Sequence, residues 1–524
     1  MGTDRHSLQD KVVLTALSFG WEVPKNEIEE YASLLEKACK VFETIGAMED
    51  YQPTPDLSLS PRTDIHFPDK ADNNLNAWAW RCICTHRSPP QRTLEGKTIC
   101  LKDNIAMAGV PCLVGTDTFV GWTPMTDATI VTRILEQGGT ITGKAVCENL
   151  SRGAVSVTAA TGPVHNPYAY GYSAGGSSSG TAALVASDSV DMGIGCDQGG
   201  SIRIPASLCG LWGLKATLGL IPYTGIVSND ASVDFVGPIT KTCMDCAILL
   251  HTLAGVDGMD DRQIAGTPFP DQVPNYAAHL ILTADQGVRG MKIGVLKEGL
   301  TSSAIDPGVR EKFLAACEKF RELGAIVDEV SVPIHEQARA IYSVFSKMGN
   351  HMGMLGRATG RRQVMLTDLM EKKGLPYSQE SISKMSTWSK EGLLAGEYGW
   401  THFPLAYPKA VNLIRKVTRA YDATLAEYDL LVMPTTVTPA DPLPPIDASP
   451  MEHMGKAVGK LENTSPFNAS GHPALAFPIG MVPAAADATI MLPTSMQIVG
   501  KFWDEAKILQ AGYAWENEVD WKNF

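Results

Sequence analysis

Gly175-Gly-Ser-Ser-Ser-Gly180, then a short helical segment, then Gly195-Cys-Asp-Gln-Gly-Gly-Ser-Ile-Arg-Ile-Pro205, is the stretch from which this chain is read. Two Gly-Gly-Ser turns put two hydroxyls, Ser177 and Ser201, on tight backbone bends. The glycines at 199 and 200 let the loop turn sharply and aim successive N–H groups, those of Gln198, Gly199, Gly200 and Ser201, at one point. Such a loop supplies a nucleophile, Ser201, and an oxyanion hole together. Each donor of an oxyanion hole is worth about 3 kcal/mol in the transition state.

A serine hydroxyl is a weak nucleophile at neutral pH and needs a base. Lys102 closes the apolar run Thr98-Ile-Cys-Leu. A lysine ordinarily titrates near about 10.4, but burial favours the neutral amine, which accepts a proton. Ser177 fits between the two as a relay, because a hydroxyl donates to one partner while accepting from another. Other readings stay open from these residues alone. Lys102 fits a solvated strand end, and Gly175-Gly-Ser fits a flexible turn or an anion nest at a helix start. A phosphate loop would place Gly-Lys-Ser/Thr after the glycines, where this chain has Ser-Ser-Ser-Gly.

Outward from this stretch the pattern is α/β. Lys97–Leu101 reads as a strand, Asp127 as the cap of a helix carrying Ile130, Val131, Ile134 and Leu135, and Thr140–Val146 as the next strand. The same order recurs in Met291–Leu296, a helix opened by Asp306-Pro307 and closed by Gly324, and Ile326–Val332. Leu430–Met433, Phe477–Val482 and Thr494–Val499 read as strands and Asp504–Trp515 as a helix. At the other end, Asn26 with Glu29 resembles a capping box. Ile28, Tyr31, Leu35, Ala38, Phe42 and Ile45 then form one apolar stripe of a long helix, to be buried on its own chain or on a second copy of it. The expected organisation is an N-terminal helical arm (1–74), a core in two parts (75–288 and 412–524) and an inserted smaller α/β lobe (289–411).

The 524 residues, 44% hydrophobic and 19% charged, suit a large folded core. A net charge of −13 without a dense Lys/Arg run argues against nucleic acid as a partner. No apolar run of about 18 residues suggests a membrane span, and the N-terminus lacks a signal-peptide core. Eleven cysteines, an odd number, point to reduced thiols and a cytoplasmic setting. Cys82, Cys84 and His86 are close enough to suggest a metal, but Trp78–Cys84 reads as a buried strand and no second ligand pair at zinc spacing follows. Asn149, Asn463 and Asn468 match the glycosylation pattern, which means little without a signal peptide.

Taken together, these motifs resemble the amidase signature family. Ser177 lies 24 residues before Ser201 and 75 after Lys102, intervals similar to those of the family's Ser–Ser–Lys triad. Gly143-Lys-Ala, Gly162-Pro-Val-His-Asn-Pro, Gly213-Leu-Lys-Ala-Thr, Tyr428-Asp-Leu-Leu-Val-Met-Pro and Phe467-Asn-Ala-Ser-Gly-His-Pro also look like family landmarks, and the resemblance spans roughly 75–515. It implies a mixed sheet sandwiched by helices. It implies Ser201 as acylating nucleophile, Ser177 as bridging serine after a cis Gly176–Ser177 bond, and Lys102 as neutral general base. It further implies an oxyanion hole from Gln198 to Ser201, a supporting Asp197–Arg203 ion pair, and an acyl-pocket wall at Ser151, Arg152 and Gly153. Relatives often carry an apolar or small residue where Arg152 stands, so Arg152 either contacts a polar substrate group or turns to an ion pair. Among branches, the chain is most similar to amidases with a long N-terminal helical arm, some of which accompany nitrile hydratases; that branch implies a homodimer. The Cys147-Glu-Asn-Leu-Ser-Arg-Gly run departs from the glutaminase subunit of the tRNA-dependent amidotransferase. The implied reaction is hydrolysis of a small-molecule amide without metal or organic cofactor. Carbamate or ester hydrolysis by the same triad is the alternative, followed by service as the glutaminase component of an amidotransferase.

Overall fold

The computed structural model describes residues 7–119, 121–374, 376–445 and 447–524. Two compact units divide after Pro53.

In the N-terminal unit, Ser7 caps the helix Leu8–Ser18 through a capping box with Asp10. A turn closed by the Glu27 N–H on the Pro24 carbonyl then leads into the helix Ile28–Gly46. That turn carries Asn26 past the cap position, so Glu27 stands at the N-cap and the expected Asn26 capping box does not form. Trp21 meets Tyr31 edge-on at 5.1 Å between ring centroids. The stripe is half used: Tyr31 and Leu35 are partly buried, while Phe42 and Ile45 are exposed.

In residues 54–524, twelve strands form one mixed sheet. Its order is Arg62–His66, Trp78–Cys84, Thr140–Ala145, Thr98–Lys102, Met192–Asp197, Phe235–Thr240, Trp212–Lys215, Ala474–Ala484, Asp487–Val499, Leu430–Pro434, Lys292–Leu296 and Ile326–Val330. Thr98–Lys102 runs parallel to both neighbours. So does Lys292–Leu296, whose partners are Leu430–Pro434 and Ile326–Val330. The strands Met192–Asp197 and Leu430–Pro434 are buried at every position, as a sheet covered on both faces requires. The strands at 292–296 and 326–330, inside the stretch expected as an inserted lobe, extend this same sheet. The helices Pro307–Glu322, Ile334–Val344 and Thr387–His402 lie within that stretch, and Ala406–Glu427 runs out of it past residue 411.

Asp306 caps the helix Pro307–Glu322 by accepting from the Gly308 and Val309 N–H groups, as expected. Asp127 does not cap its helix. Its carboxylate takes the Ala108 N–H and a buried ion pair with Arg62, and Ala128 stands at the N-cap without a side-chain bond. Cys82 and Cys84 are buried thiols, and His86 accepts from the Ser88 N–H. No group of three or more metal-binding side chains occurs among the described residues. Asn149, Asn463 and Asn468 are all buried, which removes them as glycosylation acceptors. No helix among the described residues is long and apolar enough to cross a membrane.

Candidate active site

Three parallel strands set the site. Lys102 ends the central one, Met192–Asp197 lies on one side, and Thr140–Ala145 on the other. The helix Ser179–Ala186 packs over them, so the turn before it, Gly175-Gly-Ser177-Ser178, sits at the ends of the strands. Gly175 has φ +74°, and a Cβ there would come within 2.9 Å of the Pro205 Cα; glycine is required on both counts. The Gly176–Ser177 peptide is cis. Ser178 fastens the turn, its hydroxyl bridging the Cys196 carbonyl at 3.2 Å and the Cys196 N–H at 3.3 Å.

Lys102 is fully buried and donates to the Ser177 Oγ at 2.7 Å and to the Cys196 carbonyl at 3.3 Å. Among the described residues no carboxylate reaches ion-pair distance of its amine. Burial therefore dominates and holds its pKa below the ordinary lysine value, against weaker pulls from Cys196, Cys147, Asp197 and Glu148. The structure rules out the solvated strand end that the residues alone leave open.

Ser201 lies in the wall of a cavity of about 250 Å³, with Ser151, Arg152, Gly153, Tyr342 and Trp388. Its loop is held from below. Arg203 grips Asp197 through Nε at 2.9 Å and Nη2 at 3.1 Å. The remaining guanidinium donors reach the Asn468 Oδ1, the Thr464 carbonyl and the Gln497 Oε1 at 2.6, 2.9 and 2.6 Å. All five Arg203 N–H donors are thereby spent, which is how a buried guanidinium is tolerated. Burial alone would raise the Asp197 pKa. Arg203 and the Asn468 amide outweigh it and bring it down to about 2, so the carboxylate stays ionised.

Asp197 also changes the expected oxyanion hole. Its Oδ1 accepts the Gly200 N–H at 2.6 Å, so that donor is turned into the loop's own scaffold. Among the described residues the Gly199 and Ser201 N–H groups make no hydrogen bond within the chain. The Gly199 carbonyl is pulled away by the Thr464 hydroxyl at 2.7 Å. Gly200 has φ +139°, and a Cβ there would collide with the Thr464 hydroxyl and come within 2.6 Å of the Ile204 Cδ1.

Ser151, Arg152 and Gly153 line the cavity as a strained segment, with Leu150 and Ser151 both at positive φ. Arg152 is buried, donates to the Ser346 carbonyl at 2.8 Å and lies 3.8 Å from Glu391, yet among the described residues its Nε has no partner. Burial lowers its pKa, with Glu391 opposing.

Two features escape sequence reading. Glu148 is fully buried, and its carboxylate accepts the Val157 and Thr158 N–H groups and the Thr158 hydroxyl, while its own N–H holds the Ser177 carbonyl at 3.1 Å. Burial raises its pKa to about 7 despite those bonds. Tyr342 packs its hydroxyl on Gly199. An acidic residue close to the landmark Gly143-Lys-Ala is the only sequence sign of the first; the second has none.

A buried amine against a hydroxyl, bonded to the strand that leads into a loop with unspent N–H donors and a serine open to a cavity, is an arrangement suited to acyl transfer. The sequence matches the Amidase family over residues 75–509. An enantioselective amidase of Rhodococcus rhodochrous is 35% identical over 512 residues, covering 96% of this chain and 93% of that protein. A glutamyl-tRNA(Gln) amidotransferase subunit from Exiguobacterium sibiricum is 33% identical, covering 83% of this chain and 85% of its own. The solved structure of a peptide amidase from Stenotrophomonas maltophilia superposes with a TM-score of 0.64 at 26% identity, covering 82% of this chain and 84% of that one.

Proposed function

This chain belongs to the amidase signature family and is a hydrolase acting on amides, and we propose that it cleaves the C–N bond through an acyl-enzyme on Ser201. The observation that carries this reading is the 2.7 Å contact between the buried Lys102 amine and the Ser177 hydroxyl.

In this reading Ser201 Oγ attacks the amide carbonyl. Its proton passes to Ser177 Oγ while the Ser177 proton passes to the neutral Lys102 amine. The carbonyl oxygen becomes an oxyanion facing the Gly199 and Ser201 N–H groups, with Gln198 beside them. Collapse of the tetrahedral species breaks the C–N bond, and the Lys102 proton returns through Ser177 to the leaving nitrogen. Water then attacks the acyl-enzyme by the same relay and releases the carboxylic acid. Asp197 and Arg203 hold the loop, and Ser151, Arg152 and Gly153 form the acyl-pocket wall. Glu148 supports the Ser177 turn from behind.

The same triad serves esters and carbamates, so the test is a matched panel of amide, ester and aryl-carbamate substrates. Amide turnover lost with Ser201→Ala supports the reading; amide turnover retained in that variant overturns it.

Compartment and assembly follow as part of the same proposal. All eleven cysteines are free, ten of them buried, which supports a reducing, cytoplasmic setting. The exposed Phe42 and Ile45 on the arm's helix support a homodimer. Light scattering on the full chain and on a Phe42→Ser, Ile45→Ser variant tests this: a dimer that the variant splits is expected, and a monomeric parent contradicts it.

A further inference from the structure

A second cavity, of about 340 Å³, lies beside the first and shares Asn229 and Asp230 with it. Its volume is that of a small-molecule site. Ser201 does not line it. Its wall is largely apolar and adaptable, with Met352, Met365, Leu369, Met370 and Trp400 among its residues.

Into this apolar surrounding the fold sets a lysine. Lys373 is buried, and among the described residues its amine makes one hydrogen bond, to the Gly353 carbonyl at 3.3 Å. Among the same residues no carboxylate lies within 4 Å of that amine. The acid that acts on it, Asp234, is already bound by Arg262 at 3.2 Å and by the Ser228 hydroxyl. Burial brings the Lys373 pKa down to about 8. A second cationic donor is also unspent: among the described residues the Nε of Arg361, which lines the same cavity, is buried without a partner although its Nη2 is paired with Asp261. The one acid in the wall is occupied, since Asp230 accepts from the Tyr407 hydroxyl and the Ser232 N–H, both at 2.8 Å.

A buried ammonium with two unused donors is costly unless an anion completes it. An inorganic anion would complete the charge but leave the methionine and tryptophan walls unfilled. We propose that this second cavity binds a small apolar carboxylate, with its charged end on Lys373 and its hydrocarbon part against the methionines and Trp400. A carboxylic acid is also what an amide hydrolase releases, so ligands of this class arise in its own reaction.

The probe is 4-phenylbutyrate, with 4-phenylbutanol as its neutral counterpart, titrated calorimetrically into the full chain carrying Ser201→Ala. Saturable binding of the acid at sub-millimolar concentration is expected. Lys373→Met should weaken it at least tenfold while leaving the weaker binding of the alcohol unchanged. Met365→Trp, which fills the cavity and keeps Lys373, should weaken both, so a folding defect in one variant does not decide the outcome. Trp388→Ala, in the catalytic cavity, should change neither. No saturable binding, equal binding in the parent, Lys373→Met and Met365→Trp, or a loss caused by Trp388→Ala instead, would overturn the proposal. Because neither probe carries an amide bond to cleave, this result is independent of the Ser201 mechanism.

Discussion

The Lys102 amine donates to the Ser177 hydroxyl at 2.7 Å, fully enclosed, with no carboxylate in ion-pair reach among the described residues. An amine so placed has little to gain from holding a proton, and it faces a hydroxyl, that of Ser177, which in the proposed relay passes it the proton of Ser201.

The rate should therefore depend on pH in one direction. Below the lowered pKa of Lys102 the ammonium has no lone pair and the relay is blocked; above it the amine is free. Measured from pH 5 to 9, kcat/KM should rise with pH and level off before the ordinary lysine value. A flat profile would count against a lysine base.

Replacing Lys102 by Ala should lower kcat by roughly 10²–10⁴-fold, the usual contribution of a general base, and should remove the rising limb of the profile. Arginine at the same position should not restore activity, because it stays protonated. Steady-state kinetics on both variants check this, with thermal denaturation to show that each is folded.

Gly200→Ala should disturb the loop rather than the fold. The residue's φ of +139° and the crowding against Thr464 leave no room for a methyl group. Displaced N–H donors at Gly199 and Ser201 should reduce kcat by about 10²-fold or more, with a small change in KM. Unchanged kcat would place the oxyanion donors elsewhere.

How much of this is legible in the chain depends on sequence distance. The turns that carry Ser177 and Ser201 are legible because their glycines announce them, whereas Lys102 fits a solvated strand end as well, and only the family resemblance pairs it with Ser177. The Asp197 bond to the Gly200 N–H is also legible in principle, since an aspartate accepting from the N–H three residues on is a local turn device; the glycines mask it by suggesting a free donor. Thr464, Asn468 and Gln497 are not legible as Arg203 partners, being separated from it by 261, 265 and 294 residues. Only the closing of the sheet brings them together. Asp127 fails as a cap for the same reason: Arg62 comes from an edge strand that no local pattern links to it.

Arg203→Met should leave Asp197 buried without its counter-ion. Removing one partner of such a pair costs about 3–5 kcal/mol, to be read as a lowered urea midpoint. Thr464 and Asn468 meet the same network, so their substitutions should not be additive with it.

Arg152→Ala should reorder substrates more than it slows them. The side chain lines the cavity with an unspent Nε, so polar acyl groups should lose relative to apolar ones. Unchanged relative kcat/KM values across a panel of acyl groups would sink this role.

Acylation of Ser201 is read by intact-mass analysis with peptide mapping. After incubation with a slowly deacylating amide or an acylating inhibitor, a single acyl adduct mapped to Ser201 is expected, absent from Ser201→Ala and formed far more slowly in Lys102→Ala. An adduct on Ser177 or on a cysteine, or full turnover with Ser201→Ala, would contradict it.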